Sequence, residues 1–263
     1  MNLRKFAAAL TVPVLGLALA ACGGGDEGGT SPSGAKLVTA DTLTICTHLP
    51  YKPFEFNEGG EVVGFDIDVL KIAADAEKLE TEVVNIGWET IVSGEALNSG
   101  KCDVAAGAMT ITEERENVMD FTEPYFEATQ ALMTKKGAGY ASLDDLGGKT
   151  IAVQEATTGA DYVKENAPED TKIITLEDSA LMMQAVKSGK ADAGVNDNGL
   201  LYDFVKSNSD MEITSEFQTG EAYGFTVKKG GNDKLLDALN KGINDKAAYD
   251  EVYNKWFGEA AAQ

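Results

Sequence analysis

Arg115 and Asp197 are the residues whose types and settings best suit work on a small charged molecule. Arg115 stands five residues after Thr110, just inside a short helix for which Thr112 is the expected cap. A guanidinium is a planar fork that grips a carboxylate through two parallel hydrogen bonds. Free N–H groups at a helix start favour the same anion, and Thr110 adds a hydroxyl and its own N–H. Asp197 follows the apolar run Ala193-Gly194-Val195, which reads as a buried strand. Open α/β sheets place their ligands off the carboxyl ends of such strands. A cation with donors on one side and an anion on the other suit a zwitterion bearing a carboxylate and an ammonium. Each residue also has a plainer reading. Arg115 pairs equally well with Glu113 or Glu116 on the surface, and Asp197 caps a helix that starts before Gly199. On the local sequence alone the surface reading of Arg115 prevails, while both readings of Asp197 stay open.

The elements that would position these residues alternate. Leu43-Thr44-Ile45-Cys46 is a strand, and a helix follows from Gly64-Phe65-Asp66 with Asp66 as its N-cap and Val69, Ile72, Ala73 and Ala76 at helical spacing. A strand over 83–86, a helix over 89–97 and a buried strand over 104–107 complete a first half. The pattern restarts after residue 140. A helix start at Ser142 precedes strands over 150–153, 173–174, 191–195 and 223–227. Helices are expected over 158–165, 179–187 with Gly189 just past the end, 199–206, and most of 233–257. Strands alternating with helices imply an α/β layer around a parallel sheet. The chain is two such halves in tandem.

Composition excludes several classes. Acids outnumber bases 43 to 22, for a net charge of −21. A nucleic-acid binder needs a basic surface to displace counterions, so that class is set aside. Three cysteines, one histidine and no Cys-x-x-Cys pair leave no ligand set for zinc or haem, and no cofactor is expected. Arg4 and Lys5 precede an apolar run over 6–21 that is shorter than the about 20 residues a spanning helix needs. It reads as a cleavable leader over 1–21. Residues 22–37 then hold Cys22 and a polar, glycine-rich stretch expected to be a flexible tether. Cys46 and Cys102 are candidates for a disulfide or for two free thiols. A straight strand register would hold them about 13 Å apart, beyond the about 7 Å a disulfide permits.

Several segments carry a family resemblance. Leu19-Ala20-Ala21-Cys22 resembles the lipobox of bacterial lipoproteins, in which the peptidase cuts before a cysteine that carries diacylglycerol. The plainer alternative is an ordinary leader beside a chance cysteine. Pro50-Tyr51-Lys52-Pro53-Phe54-Glu55-Phe56, Gly64-Phe65-Asp66-Ile67-Asp68 and the stretch from Asp103 to Arg115 follow. Asp120-Phe121-Thr122-Glu123-Pro124-Tyr125, Ala152-Val153-Gln154 with Thr157-Thr158-Gly159, Ala191 to Asp197, and Lys255-Trp256-Phe257-Gly258 come next. In this order they resemble the family 3 extracellular solute-binding proteins, which capture amino acids for ABC importers. The resemblance implies a two-lobed periplasmic-binding-protein-like (type II) fold with two hinge strands, near 131–134 and 221–225. Lobe 1 would take 38–131 plus 224–263, and lobe 2 would take 132–223.

It also implies roles. Arg115 and Thr110 would receive the ligand's carboxylate end on lobe 1, and the backbone of Ala108 would also face the ligand. Asp197 would hold the ammonium, and Thr158 would add a backbone N–H from lobe 2. Tyr51 and Trp88 match the aromatic positions that sandwich the ligand's side chain, while Phe54 and Phe56 read as core. His48 lies at the cleft where many relatives carry an acid, and is either a ligand contact or a polar lining residue. Glu89 and Glu155 are further candidates for the side-chain end of the pocket. The family often has glycine where this chain has Ala156. The implied protein is a monomer on the outer face of the membrane, held by its lipid, that closes on a polar or charged L-amino acid and passes it to a permease. The rivals are an enzyme on the same scaffold, for which His48 or Glu89 would supply acid–base chemistry, and a sensor domain that reports its ligand to a partner. No nucleophile–base motif supports the enzyme.

Overall fold

The structure, a computed structural model, describes residues 28–258. The expected leader over 1–21 and the expected lipidation site at Cys22 lie outside the described residues. From residue 28 the expected tether is corrected. Gly29–Thr30 and Lys36–Leu37 pair as antiparallel strands. Ser31 Oγ donates to Glu77 Oε2 at 2.8 Å and the Ser33 N–H donates to the same oxygen at 2.9 Å, while Ala35 and Leu37 are buried. Satisfied polar groups let a segment poor in large apolar side chains pack against lobe 1.

Lobe 1 then runs through β1 (Thr42–Thr47), α1 (Phe65–Ala76), β2 (Glu80–Asn85), α2 (Trp88–Val92), α3 (Glu95–Asn98), β3 (Val104–Ala105), α4 (Glu113–Glu116) and β4 (Met119–Phe121). The chain crosses to lobe 2 and forms β5 (Phe126–Lys135), β6 (Thr150–Gln154), α5 (Thr158–Asn166), β7 (Lys172–Leu176), α6 (Ser179–Ser188), β8 (Ala193–Asp197), α7 (Asn198–Ser207) and β9 (Met211–Tyr223). It returns as β10 (Thr226–Lys228), α8 (Asp233–Ile243) and α9 (Lys246–Phe257).

Each lobe holds a five-stranded sheet, in the orders β2-β1-β3-β10-β4 and β7-β6-β8-β5-β9. In each, three neighbouring strands starting from one edge, β2-β1-β3 and β7-β6-β8, are parallel, as the alternation of elements implies. The strands that arrive from the other lobe pair antiparallel. α1 buries Ile67, Val69, Leu70 and Ala73 against α8, which presents Leu235, Ala238 and Leu239 at helical spacing. The C-terminal helices therefore belong to lobe 1. β8 is buried along its whole length, which suits a strand flanked on both sides and covered on both faces.

Three expectations are corrected. The first crossing lies at 122–125, earlier than 131–134, because Phe126–Lys135 pairs along its length with β9 and so is wholly part of the lobe 2 sheet. The crossings are tied there by Thr122 N–H to Phe225 O and Tyr125 N–H to Tyr223 O, both at 2.9 Å. The helix over 89–97 is split into α2 and α3 at Gly94, whose φ of 74° is left-handed and open to glycine at little cost. Asp66 is not an N-cap. Gly64 holds that position, and the Asp66 carboxylate turns inward to the site described below.

An aromatic cluster fills the junction of the lobes. Phe54 is fully buried, with ring centroids 5.2 Å from Phe126 and 5.4 Å from Tyr223, both edge-on. These contacts join the loop after β1 to both crossing strands. Cys46 and Cys102 form a disulfide with their Cα atoms 5.8 Å apart. The straight-register separation does not apply. Asp103 N–H still bonds Thr44 O, but the chain before it turns over the sheet face on which Cys46 packs with Ile91, Leu97 and Met109. Closing a span of 56 residues restricts the unfolded chain and contributes about 4 kcal/mol on a loop-entropy argument.

Candidate functional site

The loop of residues 107–110, directly after β3, forms the lobe 1 floor. Gly107 has φ 156°, and a Cβ there would stand 2.7 Å from the Trp88 ring. Ala108 is held at φ 46°, a left-handed conformation that costs an alanine about 1 kcal/mol. Its N–H donates to Asp66 Oδ2 at 2.9 Å, and the Gly107 N–H reaches the same oxygen at 3.3 Å. The buried carboxylate thus fixes the turn. Glu55 packs beside it, and both acids are fully buried. Burial pushes Asp66 up to about 6 despite those backbone bonds. Burial, and next the neighbouring Asp66, drive Glu55 well above the usual carboxylate range.

Arg115 is only 8% exposed, which removes the surface-pair reading. One guanidinium nitrogen donates to Thr110 O at 2.8 Å and another to Ala156 O, from lobe 2, at 3.1 Å. Its Cζ lies 5.6 Å from the centroid of the Trp88 ring. Thr112 caps α4 as expected, accepting from the Arg115 N–H at 3.2 Å. That helix is a single turn, so its dipole adds little.

From lobe 2, Asp197 ends β8 and is buried. It makes no side-chain cap to α7, which removes the cap reading. Its Oδ1 accepts from Gln130 Nε2 at 2.5 Å, and its Oδ2 lies 2.8 Å from the Tyr51 hydroxyl and within hydrogen-bond reach of the Tyr223 hydroxyl. Burial first, and then the Glu221 charge, push Asp197 up to about 6. Ala156 adopts φ 56°, the conformation a glycine would take, and its carbonyl receives both Trp88 Nε1, at 3.0 Å, and Arg115. Thr157 caps α5 through Ala160 N–H at 3.1 Å, which leaves Thr158 at the cavity wall.

These groups line one small cavity between the lobes. All eight expected ligand residues line it: His48, Tyr51, Trp88, Ala108, Thr110, Arg115, Thr158 and Asp197. Glu55, Gly107, Gln154 and Thr157 line it as well. His48 Nδ1 lies 2.9 Å from Ile86 O, while its buried Nε2 has no partner. Glu89 and Glu155 are exposed and do not reach the cavity. Thr110 differs from expectation in one respect: its hydroxyl donates to Glu221 Oε2 at 3.0 Å and so is not free to donate to a ligand. Glu221, Gln130 and Tyr223 carry no motif in the sequence. They lie on the long strands β5 and β9, whose pairing alone brings them to the site. Glu55 lies inside a recognised segment, and its place between Phe54 and Phe56 was the available signal. The bonds from Tyr51, Trp88 and Arg115 to lobe 2 show the lobes closed on each other.

A buried cation from one lobe and a buried anion from the other, facing one cavity across a two-stranded hinge, define a protein that traps a small ligand by closure. The sequence profile of the bacterial extracellular solute-binding proteins, family 3, matches residues 43–259, and the chain belongs to that family. It is 36% identical over 210 residues to the ABC transporter glutamine-binding protein GlnH of Bacillus subtilis (strain 168), covering 78% of this chain and 76% of the relative. It is 31% identical over 261 residues to the arginine-binding extracellular protein ArtP of the same organism, covering 97% and 98%. An ancestral arginine-binding protein bound to arginine superposes with a TM-score of 0.77 at 40% identity, covering 83% of this chain and 99% of that structure. The fold is the two-lobed α/β architecture of these amino-acid-binding proteins.

Proposed function

We propose that this chain captures a free polar or charged L-amino acid by hinge closure and delivers it to the permease of an ABC importer. The observation that carries this reading is the convergence of Arg115 and Asp197, from opposite lobes, on one cavity. Arg115 and backbone N–H groups of Thr110 and Thr158 would hold the α-carboxylate. Asp197 would hold the α-ammonium, and Tyr51, Trp88 and His48 would line the space for the side chain. The ligand would dock first on lobe 1, and closure would then exclude water and strengthen the ionic contacts. The membership of the family and the binding proteins it resembles favour a carrier over an enzyme. A thermal-shift screen of the mature protein against the common L-amino acids tests the reading. A true ligand at a hundredfold excess over its Kd stabilises the native state by about 2.7 kcal/mol. No shift with any of them would remove the assignment.

The same reading places a monomer at the outer face of the cell membrane, anchored through a diacylglycerol and palmitate-type lipid on Cys22. The small residues Ala20 and Ala21 before that cysteine support the anchor. A Cys22→Ala chain is expected to leave the membrane fraction for the soluble one. Retention on the membrane with no lipid mass on the wild-type cysteine would contradict the anchor.

A further inference from the structure

Glu221 sits on the strand that returns to lobe 1 and is part of no recognised motif. One of its oxygens, Oε2, accepts from Thr110 Oγ1, Thr158 Oγ1 and Gln130 Nε2, each at 3.0 Å. Thr110 belongs to lobe 1, whereas Thr158 and Gln130 belong to lobe 2. Thr110 also bridges Tyr223 on the returning strand, and in the closed form all three donors meet on this one oxygen. A hydroxyl has one proton, and a carboxylate can only accept. With both protons committed to Glu221, the two threonine oxygens can only accept; Gln130 Nε2 reaches Thr158 Oγ1 at 3.3 Å, which leaves that oxygen one lone pair, and both threonines line the cavity. Asp197, joined to Glu221 through Gln130, lies on the same wall. That wall is therefore built of acceptors.

We propose that Glu221 is a positioning residue of the cleft, which orients the hydroxyls of Thr110 and Thr158 as acceptors for the ligand's ammonium and latches the closed form. This rests on the reading of the site as an amino-acid trap. Glu221 does not itself line the cavity, so it acts through the threonines and through closure. A Glu221→Gln side chain has the same shape but brings an NH2 group. That group donates toward a threonine oxygen, turning at least one hydroxyl proton back toward the cavity.

The test compares wild type and Glu221→Gln with the L-amino acid that stabilises the wild type most in the thermal screen, and with its 2-hydroxy acid analogue. The variant is expected to bind the amino acid about tenfold more weakly, through faster dissociation with little change in the association rate. Its preference for the amino over the hydroxy compound should shrink by a similar factor, a change that loosened packing alone would not produce. A Glu221→Asp variant reports whether reach as well as charge matters, and is expected to retain more of the preference than Glu221→Gln. Unchanged affinity and unchanged amino-to-hydroxy preference in Glu221→Gln would overturn this role and leave the trap intact. A wild type that binds no amino acid would overturn the functional reading itself, and this role with it.

Discussion

An Arg115→Ala variant is expected to lose amino-acid affinity by about a thousandfold, near 4 kcal/mol, while its ligand-free thermal midpoint moves by less than about 3 °C. Among the described residues, Arg115 is the only arginine or lysine lining the cavity, so no other such side chain there balances a buried carboxylate charge. Stability and affinity separate because the side chain is costly to bury. Burial pushes the guanidinium's pKa down, with the charges of Asp197 and Glu221 opposing it. Truncation forfeits the bonds to Thr110 O and Ala156 O, but it also removes a buried charge, and water reaches both carbonyls when the lobes part. Arg115→Lys keeps the charge and loses the fork. It should fall between the two, about tenfold to a hundredfold weaker than wild type. Titration calorimetry together with a ligand-free melt reads both quantities. Wild-type affinity in the alanine variant would refute the role given to Arg115, and a large fall in the ligand-free midpoint would mark it as a structural residue.

Residues whose local pattern carried physics were legible in the sequence. Asp197 was flagged by the apolar strand before it, and that strand is buried throughout. Thr112 was readable as a cap because its neighbours are polar helix formers. Arg115 was different. Glu113 and Glu116 offer it equally good surface partners, and only the ordered family segments favoured the cleft. Side chains delivered by long-range pairing were not legible. Gln130, Glu221 and Tyr223 reach the site because β5 and β9 pair antiparallel, with shifts in register between 213 and 215 and between 217 and 221. No local period encodes such shifts. Asp66 was misread because an acid in a first helical turn is usually a cap. Its burial depends on the 107–108 turn from a distant strand. The state of the cysteine pair was not legible for a similar reason: the sequence shows the strand, but not the turn of chain before it.

Asp197→Asn should produce opposite changes in affinity and stability. The replacement keeps the shape and much of the hydrogen bonding to Gln130, Tyr51 and Tyr223, but it cannot balance an ammonium. Affinity should fall several hundredfold, about 3.5 kcal/mol. Folding raises this carboxyl from 3.8 to about 6, so the native state holds the proton more tightly than the unfolded chain. The stability this contributes is complete below 3.8 and lost as pH rises through about 6. Above that, burying the charge costs the ligand-free closed form up to about 3 kcal/mol. Ligand-free Asp197→Asn is therefore expected to melt higher than wild type at pH 8 and to match it near pH 4. Binding has the reverse dependence. A proton on Asp197 competes with the ligand's ammonium, so wild-type affinity should weaken as pH falls through about 6, and the variant should lack that component. Asp66 also titrates near this range but is present in both proteins and cancels in the wild-type-minus-variant profile; Glu55, which the Asp197 charge helps to raise well above the usual carboxylate range, lies above it. If that difference is flat from pH 5 to 8, the carboxylate of Asp197 does not hold the cationic end of the ligand.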